Sequence, residues 1–108
     1  PEVCTLPALR YLDASANRLT EVPTCLSQLQ QLEVLHLAHN QLTELPPALA
    51  KLTKLQNLNL SYNNLRNLPP WLATLPSLLQ MNLQGNAIAA EEVAALQKAL
   101  PNTRVLAD

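Results

Sequence analysis

Residues 32–54 read LEVLHLAHNQLTELPPALAKLTK. Leu35 and Leu37 alternate with Val34, His36 and Ala38, the period-two pattern of a strand with one buried face. Asn40 follows and reads as a turn: its side-chain amide both donates and accepts, so it can satisfy backbone groups left open at a bend. Pro46 forbids a continued ladder and fixes the next bend. Leu49 and Leu52 then stand three apart, a spacing that suits a short 3₁₀ or helical return.

Outward from this stretch the same order recurs. Leu9, Leu32, Leu55 and Leu78 are spaced by 23 residues, as are Leu12, Leu35, Leu58 and Met81. Asn17, Asn40, Asn63 and Asn86 keep the interval, followed by Leu19, Leu42, Leu65 and Ile88. Pro23, Pro46 and Pro69 complete three copies, and Leu26/Leu29, Leu49/Leu52 and Leu72/Leu75 form the returns. Such self-similarity marks a repeat architecture. It also explains a composition of 48% hydrophobic residues with no phenylalanine and one glycine, since one residue type can fill a core when one small packing unit is repeated. A 23-residue unit cannot bury its own leucines and must do so against its neighbour. The strands therefore stack in parallel, the returns stack opposite, and stacked asparagines form a hydrogen-bond ladder. The expected fold is α/β, a curved right-handed solenoid.

These residues resemble the leucine-rich repeat. The segments NQLTELPPALAKLTKL and NNLRNLPPWLATLPSL resemble its intracellular proline-containing class, found in Ras-suppressor-like proteins, Scribble-type polarity scaffolds, plant intracellular Ras-group repeats and many bacterial proteins. The resemblance implies a parallel concave sheet, short 3₁₀ or helical convex returns and a C-terminal capping helix. It is specific for fold and nearly silent on function. We expect one domain over 1–108: a partial repeat 1–8, repeats 9–31, 32–54 and 55–77, and a terminal repeat with cap, 78–108.

The two ends differ. PEVCTLPAL aligns with PWLATLPSL, Leu6 with Leu75 and Leu9 with Leu78, so the chain opens inside a repeat and not on a methionine. It is expected to be the C-terminal portion of a longer array, or an excised piece. At the other end Glu92 stands where proline would be and Lys98 where a return leucine would be. AAEEVAALQKAL places Val93, Leu96 and Leu100 on one helical face, with Glu91 and Glu92 near its start and Lys98 near its end to suit the helix dipole. Pro101 and Asn102 stop it, and TRVLAD could return as an extended segment. This terminal unit resembles the last repeats of the ribonuclease-inhibitor class and of the Rab geranylgeranyltransferase alpha subunit.

Composition excludes several functions. Seven basic and eight acidic residues give a net charge of −1, a poor footprint for nucleic acid or an anionic membrane. No apolar run reaches membrane-spanning length and no signal peptide opens the chain. Gly85 is the only glycine, so no glycine-rich phosphate loop exists. Cys4 and Cys25 are read as free thiols on the convex return, in a reducing compartment. No histidine is placed to activate either thiol. Asp13, His36, Asn59 and Asn82 occupy equivalent strand sites, about 4.8 Å apart per step. Asp13 could hydrogen-bond His36, but further metal ligands are lacking, and an ordinary polar row is preferred to a metal or acid–base site. Asn59-Leu60-Ser61 matches a glycosylation acceptor and is discounted because Asn59 lies in an expected strand.

The exposed strand positions are expected to line the concave face: Tyr11, Asp13, Ser15 and Ala16; Val34, His36, Ala38 and His39; Asn57, Asn59, Ser61 and Tyr62; Gln80, Asn82 and Gln84. Tyr11, Asp13, Val34, His36, His39, Asn57, Asn59, Tyr62, Gln80 and Asn82 are the candidate partner-binding residues. Trp71, the sole tryptophan, is either a packing residue of the convex surface or a second contact. The expected function is non-enzymatic protein or peptide binding, without cofactor or metal, in the cytoplasm. The resemblance implies small GTPase or phosphatase signalling complexes as partners. The alternatives are an accessory repeat domain of a kinase, ubiquitin ligase or prenyltransferase, and a structural or engineered fragment without a ligand. An uncapped N-terminal end would leave Leu6, Leu9 and Leu12 without a neighbour and strand 11–15 with an open edge, so self-association there is expected.

Overall fold

The computed structural model describes residues 5–108. Its five strands are β1 (Tyr11–Asp13), β2 (Val34–His36), β3 (Asn57–Asn59), β4 (Gln80–Asn82) and β5 (Arg104–Leu106), with one helix, α1 (Ala90–Ala99), before β5. All pair in parallel in the order β1-β2-β3-β4-β5. Leu12 opposes Leu35, Leu35 opposes Leu58 and Leu58 opposes Met81, each a shift of 23 residues. The arrangement is a leucine-rich-repeat solenoid.

The leucines three apart make the returns. Pro23, Pro46 and Pro69 each supply a carbonyl to the N–H of Leu26, Leu49 or Leu72, all at 3.1 Å. Those leucines accept in turn from Leu29, Leu52 and Leu75. The 3₁₀ segments Thr24–Gln28, Pro47–Lys51 and Pro70–Thr74 result. Proline suits the leading position because it lacks an N–H that would need a partner and its φ is already set. Both leucines of each return point inward, so Leu26 and Leu29, Leu49 and Leu52, and Leu72 and Leu75 are buried beside the strand leucines.

The core is one cluster of leucines with Val22 and Met81. Leu35, Leu37, Leu58 and Leu60 are fully enclosed, whereas Leu9, Leu12 and Leu19 are only partly buried. Repeats 32–54 and 55–77 are covered from both sides, whereas among the described residues no strand lies over β1.

The asparagine ladder forms as expected. Asn63 Oδ1 accepts the Leu42 N–H of the preceding repeat at 3.1 Å, and Asn63 Nδ2 donates to Leu37 O and Leu60 O, both at 3.0 Å. Asn40 accepts from the N–H groups of Asn17 and Leu19, and Asn86 from that of Leu65. A buried backbone group without a partner is costly, so one amide that closes several at a bend is worth its own burial.

The C-terminal unit departs from the repeat as its sequence predicts. Leu96 and Leu100 of the capping helix join the core. Glu92, standing where proline would be, accepts the Leu68 N–H at 3.3 Å. The strand after the helix is a full member of the sheet, so the face is five strands wide. β5 is shifted from β4 by 24 residues, Gln80 opposing Arg104. Gln97 and Thr103 absorb the change. Gln97 Nε2 donates to Thr103 O at 2.7 Å while its Oε1 accepts from Val105 N–H, and Thr103 Oγ1 donates to Leu78 O at 2.7 Å. Among the described residues no helix is long and apolar enough to cross a membrane.

Candidate interaction face

The strands place the candidate residues in two rows across the sheet. Tyr11, Val34, Asn57 and Gln80 form one, which Arg104 extends. Asp13, His36, Asn59 and Asn82 form the other, which ends at Leu106. Each strand has three residues, so only its first and last side chains stand on the outer face.

That brevity corrects part of the expected face. Ala38 and Ser61 are buried, at 6% and 4% exposure. They follow the strand ends and belong to the turn, where alternation no longer applies and their carbonyls accept from Asn40 Nδ2 and Asn63 Nδ2.

The second row is also structural. Asp13 Oδ1 accepts the Ser15 N–H at 2.9 Å, Asn59 Oδ1 the Ser61 N–H at 3.0 Å, and Asn82 Oδ1 the Gln84 N–H at 3.0 Å. Ser61 Oγ donates to Asn59 Oδ1 as well, at 2.7 Å. These side chains close the end of each strand with a local turn. The Asn59 sequon is thus engaged at both its ends. Asp13 bonds Ser15 and not His36: the Ser15 hydroxyl and N–H hold its carboxyl below the usual range, with His36 a smaller attraction and desolvation opposing them. The His36 and Tyr11 rings meet edge to face instead, with centroids 5.5 Å apart.

His39 and Tyr62 stand beside the rows, in a column that the sequence does not announce. Ala16, His39, Tyr62 and Gly85 all hold positive φ, between 56° and 74°. Each precedes a ladder asparagine. This left-handed region is cheap for glycine and costs other residues about 1 kcal/mol or more. His39 and Tyr62 stack nearly parallel, 8° between planes and 4.7 Å between centroids. The Tyr62 ring also lies on Gly85, where an added Cβ would enter the ring. The one glycine of the chain, in register with Tyr62, was the available signal. Tyr62 and Tyr11 nevertheless leave more than half their surface exposed, at 53% and 56%.

Trp71 leads a return on the opposite side and packs against the core. Its Nε1 is buried without a partner, the one such side-chain atom among the described residues. Cys25, in the first return, is disulfide-bonded. The reading of free thiols is therefore corrected; the sequence offers one other cysteine, Cys4, which lies outside the described residues. Among the described residues no three metal-ligating side chains converge. An open cleft of about 770 Å³ is lined by Thr43, Asn64, Arg66 and Asn67 among others, with no carboxylate, histidine or cysteine in its wall.

Residues 1–107 match the family model described as a leucine-rich repeat region. The chain belongs to the leucine-rich repeat family. A leucine-rich repeat protein of Leptospira interrogans is 38% identical, with a TM-score of 0.90 over 96% of this chain and 26% of its own. An internalin of Listeria monocytogenes is 28% identical, with a TM-score of 0.83 over 96% of this chain and 29% of its own. The chain thus spans less than a third of either protein's length. No curated protein gives a significant match. Leucine-rich repeat domains typically serve protein interaction, and this chain has their sheet, returns and asparagine ladder.

Proposed function

We propose that the chain is a non-enzymatic interaction module, one domain over 1–108, that takes a protein or peptide partner on its concave face. The observation that carries this is the placement of exposed Tyr11 and Tyr62, together with His36 and His39, on the sheet side of the molecule. Large rigid side chains contribute much contact area for little lost freedom, and tyrosine is favoured at interface centres. The balanced charge fits such a partner better than nucleic acid.

Assignment to the proline-containing class, with a ribonuclease-inhibitor-like end, rests on the sequence motifs. So does a partner among small GTPase or phosphatase complexes. The compartment is better argued from the structure. Disulfides persist where conditions oxidise thiols and are rare in the cytosol. The bonded Cys25 therefore favours an oxidising compartment over the cytoplasm suggested by composition.

The test is affinity capture with wild type and with the double variant His36→Glu/Tyr62→Ala. Both changes sit on the sheet side and leave the leucine core intact. A partner held by wild type and lost by the variant supports the reading. Equal capture by both removes the face from the account.

A further inference from the structure

The hydrogen bonds that close the strand ends determine which atoms the second row shows to a partner. Asn59 Oδ1 must be the oxygen, because it receives the N–H of Ser61; Asn82 Oδ1 is fixed in the same way by Gln84. Each amide therefore turns its NH₂ the other way. Neither nitrogen has a partner among the described residues, and neither is a buried unsatisfied atom, so both meet solvent. At the equivalent position of β1 the group is a carboxylate, Asp13, whose second oxygen is an acceptor with negative charge. The row thus has a polarity. It offers an acceptor at the β1 end and donors at the β3–β4 end. One neighbour strengthens each end: the exposed ring of Tyr11, two residues before Asp13, and Arg104 one strand past Gln80.

We propose that this row reads an extended peptide segment carrying a basic residue and an acidic residue about four positions apart. The inference rests on the concave-face reading above. The basic group meets Asp13 and the face of Tyr11, where a carboxylate and an aromatic ring both attract a cation. The acidic side chain takes the NH₂ groups of Asn59 and Asn82, with Arg104 supplying positive charge nearby. Spacing follows from the sheet. Three steps of about 4.8 Å separate Asp13 from Asn82, roughly 14 Å, which an extended chain covers in about four residues at 3.3 Å each.

The native chain supplies the design of the test. Asp13 shows that an aspartate in this position still accepts the N–H two residues on. The variant Asn59→Asp/Asn82→Asp therefore keeps the strand-closing bonds and reverses only the outward group. Wild type, this variant and His36→Glu/Tyr62→Ala are each panned against a displayed library of random heptapeptides, and selected peptides are measured by calorimetry at low and physiological salt. A melting curve for each protein confirms folding. Wild type is expected to enrich basic and acidic residues about four apart. The aspartate variant is expected to bind those peptides at least tenfold more weakly and to select basic residues at both ends. If wild-type peptides lack the pair, or the aspartate variant binds them equally, the donor row is overturned, while the face reading survives provided His36→Glu/Tyr62→Ala abolishes binding. If wild type enriches nothing, or that double variant binds as well as wild type, both proposals fall.

Discussion

Asn63 joins the ladder of one repeat to the next by a single buried side chain. Replacing it with alanine leaves the Leu42 N–H without a partner in a region closed to water, while Leu37 O and Leu60 O keep the amides of Asn40 and Asn86. With one buried donor stranded, Asn63→Ala should cost about 1–3 kcal/mol in chemical denaturation. Gly85→Ala should cost about 1 kcal/mol and separate the His39–Tyr62 pair, because its Cβ would enter the tyrosine ring and its φ is positive. Ring-current shifts of the His39 protons report that separation directly. Asp13 gives a third prediction at this scale. Its folded pKa is lowered, so its contribution to stability is present above the unfolded value of 3.8 and is lost as pH falls through the folded one. Carboxyl-carbon NMR should show Asp13 titrating below 3.8 and moving upward in Ser15→Ala. The ladder asparagines were legible in the sequence because spacing and chemistry pointed to one role. Asn59 and Asn82 were legible only as surface groups. Their bonds to residues two positions on depend on a turn that begins after three strand residues, which alternation alone does not locate.

Each element follows from a short-range rule that the repeat multiplies. Leucines three apart become successive 3₁₀ bonds, and strand leucines become opposed pairs in the sheet. The capping helix was legible from the apolar face of Val93, Leu96 and Leu100. The strand after it was less so, since RVL is short and its partner, β4, is set by Gln97 and Thr103 and not by the repeat. Burial of Leu96 against the last return makes Leu96→Ala cost about 2–5 kcal/mol, measurable by denaturation. Trp71 behaves otherwise. Its ring packs, yet its N–H is stranded, so Trp71→Phe removes an unsatisfied donor along with some apolar area. The exchange should change stability by less than about 1.5 kcal/mol, well under the loss for truncation to alanine.

At the scale of the molecule, the sheet is an open array with unlike ends. Gln97, Thr103 and the helix close one. At the other, Leu6 is half exposed and Asn17 Oδ1 receives no donor among the described residues. The disulfide at Cys25 bears on the same end. Non-reducing thiol titration of the denatured protein should find no free thiol, and reductant should lower the melting temperature. The fold of the whole was readable from one 23-residue stretch because a repeat needs only its unit and its period. The face was readable only in part, since the left-handed column and the buried Ala38 and Ser61 arise from how the units turn into one another.

The most direct measurement is amide hydrogen exchange of the chain with and without its captured partner or a selected peptide. Binding on the concave face predicts added protection at 11–16, 34–39, 57–62 and 80–85, and none at the returns 24–28, 47–51 and 70–74. Protection centred on those returns, with the sheet unchanged, would contradict the account.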